Sequence, residues 1–152
     1  MKIRPVVPND RAEWLRLLLG LHPESAETDH VPSVDAWLSG TSTDELIPSA
    51  VFVAERQGGR LGGLLELSVR NYAEGCSGST PYVESWYVDE DLRGAGVGRA
   101  LMEAAEEWAR ANGSMVLASD ALLVNRLSHV AHQALGFEVV ERIVVFRKRL
   151  QR

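Results

Sequence analysis

The sequence predicts an α/β (α+β) fold in a single domain spanning residues 1–152, on three observations. A strand-forming run, Val83-Glu84-Ser85-Trp86-Tyr87-Val88, leads through a glycine-rich turn into an amphipathic helix. Two apolar runs at residues 50–56 and 60–69 flank Gln57-Gly58-Gly59, a strong hairpin signal. Two helical stretches end at glycine, one at Asn112-Gly113 and one at Gly136. At 152 residues, 45% hydrophobic and 24% charged, the chain can bury one core without staples.

In chain order, residues 2–7 read as a first strand. Asp10-Arg11-Ala12-Glu13 has the pattern of a capping box, and the helix it opens carries Trp14, Leu17, Leu18 and Leu21 on one face. His22-Pro23 ends that helix. The acidic stretch at 24–29 reads as irregular, a connector or a substrate wall. A short second helix is expected around residues 34–38, closed by Gly40. The hairpin follows, then a Gly/Ser/Thr-rich loop holding Tyr72 and Cys76, then the central strand and its helix. That helix places Val97, Leu101, Ala104, Ala105 and Trp108 on one side and Glu103, Glu106, Glu107 and Arg110 on the other. A fifth strand is expected at 115–119, a helix at 125–135, and β structure through 137–150.

Composition narrows the function classes. The formal net charge of −5 argues against a nucleic-acid partner and favours a cationic one. The lone Cys76 excludes an internal disulfide framework and fits a reducing compartment. The first residues carry no apolar leader core, and the leucine cluster at 17–21 is far too short for a bilayer, so a soluble, cytoplasmic protein is expected.

The turn Arg93-Gly94-Ala95-Gly96-Val97-Gly98-Arg99 is the chief motif. A glycine-rich turn at a helix start aims backbone N–H groups and the positive end of the helix dipole at one spot, and missing side chains let an anion approach. The turn is not a P-loop, because Gly98 is followed by Arg99-Ala100 rather than Lys-Ser/Thr. Nor does G-x-G-x-G, more than halfway along the chain, match a dinucleotide fingerprint. Arg-x-x-Gly-x-Gly after a strand resembles the pyrophosphate motif of the GCN5-related N-acetyltransferases. The order β-α-α-β-β-β-α-β-α-β extends that resemblance over nearly the whole chain. It implies a mixed central sheet with helices on both faces. The second half narrows it: Ala118-Ser119-Asp120, Asn125, Ser128, the run His132 to Phe137, and Glu141-Arg142 are similar to the bacterial aminoglycoside 6′-N-acetyltransferases. Tyr72, Gly75, Cys76 and Glu84 fit the same subfamily.

The resemblance implies acetyl-coenzyme A as donor, no metal, and a polycationic small-molecule acceptor. It assigns the pantetheine arm to Trp86, Tyr87 and Val88, and the pyrophosphate to Arg93, Gly94, Ala95, Gly96, Val97, Gly98 and Arg99. Asn125 joins the coenzyme site, with a helix N-cap as its plainer role. Glu84 and Asp120 are the candidate catalytic carboxylates. A glutamate in an apolar strand is costly unless paired or used, so Glu84 is read as a base or an ammonium anchor, with an ion pair to Arg70 as the alternative. Strand alternation places Glu84, Trp86 and Val88 on one face. Asp120 is read as binding a ring amine, with a turn or cap as its alternative. His22, Tyr72 and Glu141 complete the expected substrate site. His132 stands where many acetyltransferases carry a proton-donating tyrosine, and core packing is its expected role; the i, i+3 pair His129 and His132 is not read as a metal site. Departures fall in the substrate wall: no tryptophan near His22, no histidine near Ser25, and Glu74 where asparagine is usual. The competing functions are acetylation of another polyamine, amino sugar or protein N-terminus, and a non-catalytic coenzyme A-binding module. A homodimer through the long edge at 137–150 is expected.

Overall fold

The computed structural model describes residues 1–40 and 48–152. The chain divides into two compact units, Met1–Asp120 and Ala121–Arg152.

In the first unit the strands are β1 (Lys2–Pro5), β2 (Ala50–Glu55), β3 (Leu61–Arg70), β4 (Thr80–Val88) and β5 (Ala118–Ser119). They form one sheet in the order β1-β2-β3-β4-β5, antiparallel except for the parallel β4–β5 pair. Helices α1 (Arg11–Leu21) and α2 (Glu27–Ser39) cover one face. Trp14, Leu15, Leu17 and Leu18 of α1 and Val34 of α2 pack there on Val51, Val53, Leu61 and Leu64, all nearly inaccessible to water. Helix α3 (Val97–Ala111) covers the other face through Val97, Leu101, Met102, Ala105 and Ala109, close to the apolar stripe expected. Thus the mixed sheet has helices on both faces.

Close approach explains two glycines. A Cβ on Gly20 of α1 would lie 2.6 Å from the Tyr87 ring, and one on Gly63 would lie 2.9 Å from Leu101. Each lets a helix settle onto the sheet.

Ion pairs lock the turn after β4. Arg16 of α1 donates to both Asp89 oxygens at 3.0 Å, and Arg56 donates to Asp89 at 3.1 Å and to both oxygens of Asp91. Burial opposes ionisation of Asp89, yet the two guanidiniums together hold its pKa below the ordinary aspartate value.

Three expectations are corrected. Asp10 does not cap α1; Arg4 grips it with bonds of 2.7 and 3.0 Å, and it accepts the Val7 N–H. A bidentate guanidinium is the stronger partner for a carboxylate than a lone amide. Helix α2 begins at Glu27, not near Val34, because Asp29 accepts the Ala26 N–H at 2.8 Å and starts the helix upstream of Pro32. Pro32 inside it hid that start from the sequence pattern. Third, β5 is only two residues long, and no ladder among the described residues includes 137–150. A strand needs a partner for its backbone groups, and this stretch has none here.

The second unit holds α4 (Arg126–Ala134). Asn125 caps it, its Oδ1 accepting the Ser128 N–H at 3.2 Å. Val144, Val145 and Phe146 beyond it are 70%, 84% and 87% exposed.

Candidate active site

The site is built around a slip in the β3–β4 ladder. Glu66 pairs with Ser85 and Leu67 pairs with Val83, so Glu84 is the extra residue of a β-bulge. The bulge breaks the alternation read from sequence. On β3, Glu66, Ser68 and Arg70 share one face, and Glu84 meets that face: Ser68 Oγ donates to it at 3.1 Å, and Arg70 donates through Nε at 3.2 Å and through Nη2 at 2.9 Å. Trp86 points the other way, its Nε1 donating to the Gly98 carbonyl of α3 at 3.1 Å. Glu84 and Trp86 therefore lie on opposite faces, against the sequence reading, because one inserted residue shifts the parity.

The ion pair of Glu84 with Arg70, the alternative reading of that glutamate, does form. It joins a larger cluster. The Arg70 guanidinium lies 3.6 Å from the centroid of the Tyr82 ring, and the Tyr82 hydroxyl donates to Asp120 Oδ2 at 2.7 Å. Burial, then the Asp120 bond, push the Tyr82 phenol well above its usual range, so it stays a donor. Glu84, Arg70, Tyr82 and Asp120 thus form one chain of charge-assisted contacts where the end of β3 and the residue after β5 meet the first half of β4.

Beneath it lies Glu66, which sequence reasoning missed. It is 8% exposed and accepts from Trp14 Nε1 at 3.0 Å and Ser85 Oγ at 2.6 Å. Burial drives its pKa up, against those two bonds. The signal was available: Glu66 is a lone acid in an apolar strand, as Glu84 is. Tyr82 was also missed, although it sits two residues before Glu84.

The β4–β5 ladder covers only Tyr82 and Val83, where β5 ends, so the rest of β4 has no ladder partner on that side among the described residues. The Asp89 N–H donates to the Gly62 carbonyl at 2.9 Å. Antiparallel alternation then turns the backbone groups of Trp86 and Val88 away from β3 and those of Tyr87 toward it. Tyr87 itself packs against Gly20. Of the three expected pantetheine residues, Trp86 and Val88 thus present their backbone to the outer edge. Arg93 Nε donates to the Val88 carbonyl at 2.9 Å, which braces the strand end.

The glycine turn follows at once. Gly94 and Gly96 have φ of 78° and 87°, and a Cβ on either would meet nothing within 4 Å. Their role is conformational and their surroundings are open. Gly98 differs: a Cβ there would lie 3.2 Å from Trp86, a tight contact that the indole would have to ease. Helix α3 starts at Val97, and its first N–H groups, through exposed Arg99, have no acceptor inside the helix. An open turn with these donors fits a pyrophosphate.

The remaining predicted residues have their own local partners. His22 ends α1, stacked on His30 at 5.7 Å between centroids, with Nδ1 3.7 Å from Glu24. Tyr72 is 69% exposed, and its hydroxyl donates to Glu74 at 3.2 Å. In the second unit Glu141 is exposed. His132 sits with Nδ1 2.7 Å from the Ser128 carbonyl and its ring edge-on to Phe137, a packing role. His129 Nε2 lies 2.9 Å from the Leu122 carbonyl.

Comparison with known proteins gives this arrangement its context. The acetyltransferase (GNAT) family model matches residues 11–137. Aminoglycoside N(6′)-acetyltransferase type 1 of Klebsiella aerogenes is 42% identical over 149 residues, 97% of this chain and 96% of its own length. The protein of that name from Stenotrophomonas maltophilia is 37% identical over 151 residues, 98% and 94% of the two chains. Among solved structures, apo aminoglycoside antibiotic 6′-N-acetyltransferase AAC(6′)-Ig of Acinetobacter haemolyticus superposes with a TM-score of 0.86 at 29% identity, covering 99% of this chain and 100% of its own. AAC(6′)-Iy in complex with a bisubstrate analogue, CoA-S-monomethyl-acetylneamine, gives 0.86 at 30%, covering 98% of each. With the family model matching most of the chain and relatives up to 42% identical over nearly its full length, the chain belongs to the acetyltransferase (GNAT) family.

Proposed function

We propose that this chain is an aminoglycoside 6′-N-acetyltransferase, one domain over residues 1–152, that moves acetyl from acetyl-coenzyme A to the 6′-amine and so confers resistance. The observation that carries the reading is the pairing of an acidic cluster with an open glycine turn at the two ends of one bulged strand. Full-length similarity to proteins named for that activity supports it.

The residues divide the work. The turn from Arg93 to Arg99 receives the pyrophosphate, the outer edge at Trp86 and Val88 receives the pantetheine arm, and Tyr87 anchors that edge to α1. Asn125 is a further coenzyme residue. The Val88 N–H polarises the acetyl carbonyl. Glu84, directly or through a water, takes a proton from the 6′-ammonium. The amine nitrogen then bonds to the carbonyl carbon, the carbon–sulfur bond breaks, and the second proton lost by the nitrogen goes to the departing thiolate. Asp120, held by Tyr82, binds a second ammonium, and Glu141, Tyr72 and His22 supply further substrate contacts.

A thiol-release assay tests the reaction. Kanamycin-type aminoglycosides should turn over and yield a product acetylated at the 6′-nitrogen, whereas 6′-hydroxyl analogues should be inert or poor. Preference for a polyamine or a peptide would move the substrate elsewhere in the family. Absence of any thiol release would leave only a coenzyme-binding module.

The partner proposed is a second copy of this chain. The β-branched, exposed run around Val144 and Val145 reads as a strand awaiting a ladder, and a homodimer supplies one. Sedimentation should give a dimer for the native chain and a monomer for Phe146→Asp; a native monomer would refute this. The lone thiol Cys76 supports a cytoplasmic setting. No helix among the described residues is long and apolar enough to cross a membrane.

A further inference from the structure

We propose that Arg70 is an exchange partner for the substrate ammonium: it holds Glu84 until an acceptor amine displaces it, and returns once that amine is acetylated. The inference rests on the reading of Glu84 as the residue that meets the substrate amine.

The geometry is that of a cation already bound. Arg70 forks onto Glu84 through Nε and Nη2 and lies flat over Tyr82 at 3.6 Å. An ammonium needs a carboxylate, and an aromatic face strengthens its binding; Arg70 uses both. The two cations cannot share that place. Arg70 is the last residue of β3, and its side chain keeps 44% of its surface in water. Moving it outward gives up the fork on Glu84 and the face of the Tyr82 ring, the two places an incoming ammonium would take. The Glu84 carboxylate is never left as an uncompensated charge, because one cation replaces the other.

Acetylation gives the exchange a direction. An ammonium carries a positive charge and an amide carries none, so the product has nothing to offer Glu84. When Glu84 has passed its proton on, Arg70 again becomes its best partner. Arg70 therefore weakens binding of the substrate amine and reclaims the carboxylate from the uncharged amide, which does not compete for it. This role differs from a fixed brace. A brace would improve substrate binding by orienting Glu84, whereas an exchange partner competes with it.

The sign of one measurement separates the two. In Arg70→Ala, the KM for a kanamycin-type acceptor should fall about twofold to fivefold, the range that exposed ion pairs span. Inhibition by the 6′-N-acetylated product, which does not compete for Glu84, should change much less. Arg70→Lys, which keeps a positive charge without the planar fork, should fall between. In a Glu84→Gln background the Arg70→Ala effect on KM should vanish, since nothing remains to compete for. A KM that rises or stays level in Arg70→Ala, with Glu84→Gln impaired in turnover, overturns the exchange and makes Arg70 a brace. Wild-type kinetics in Glu84→Gln overturns the underlying reading of Glu84 instead, so the two failures are distinct. Thermal melts of each variant establish that the fold is kept.

Discussion

Gly96→Glu should abolish binding of acetyl-coenzyme A while leaving the chain folded. Gly96 has φ of 87°, where a side chain costs about 1–2 kcal/mol. Its surroundings are open for 4 Å, so the new side chain meets no packed neighbour. The damage falls on the ligand. A carboxylate about 4 Å from a phosphate is opposed by about 1 kcal/mol in water and about 4 kcal/mol near a protein surface. Gly96→Ala, carrying only the conformational penalty, should lose much less. Isothermal calorimetry gives both affinities, and an undiminished affinity in Gly96→Glu would remove the pyrophosphate from this turn.

Glu84→Gln should lower turnover by about 10²–10⁴-fold, the usual contribution of a positioned acid–base group, with acetyl-coenzyme A still bound. The change removes one charge and the fork with Arg70. That pair is partly exposed, so stability should change little. Asp120→Asn retains an acceptor for the Tyr82 hydroxyl and should mainly raise KM for the aminoglycoside. A Glu84→Gln enzyme with native turnover would make this carboxylate structural.

Much of the fold was legible because its signals are local. The hairpin around Gly58-Gly59 and the α3 stripe follow from turn chemistry and helical period, and both are present. The glycine turn was legible for the same reason, although the close approach of Gly98 to Trp86 was not. What stayed hidden depends on partners distant in the chain. Asp10 was claimed by Arg4, and the strand potential of 137–150 has no ladder among the described residues. The site was half legible. Glu84 was identifiable as an acid within an apolar strand and Asp120 as one at a strand end, but Tyr82 between them became visible only with β4 and β5 side by side. Glu66 carries the same signal as Glu84, a lone acid in an apolar strand, but its partners Trp14 and Ser85 come together only in the fold.

One consequence of the bulge concerns insertions and deletions rather than substitutions. β4 is written in two reading frames, one ending at Val83 and one starting at Ser85, with Glu84 as the frameshift between them. The first frame sends Tyr82 toward Arg70, and the second sends Trp86 toward Gly98. Removing residue 84 would fuse the frames into a regular ladder, with the same apolar side chains still able to fill the same core. Such a chain would lose its acid without a trace in its hydrophobic pattern. Adding a residue elsewhere in β4 would half-turn everything beyond it, so that Trp86 swings toward α1 and Ser85 faces α3. The strand thus tolerates exchange of letters far better than a change in their number.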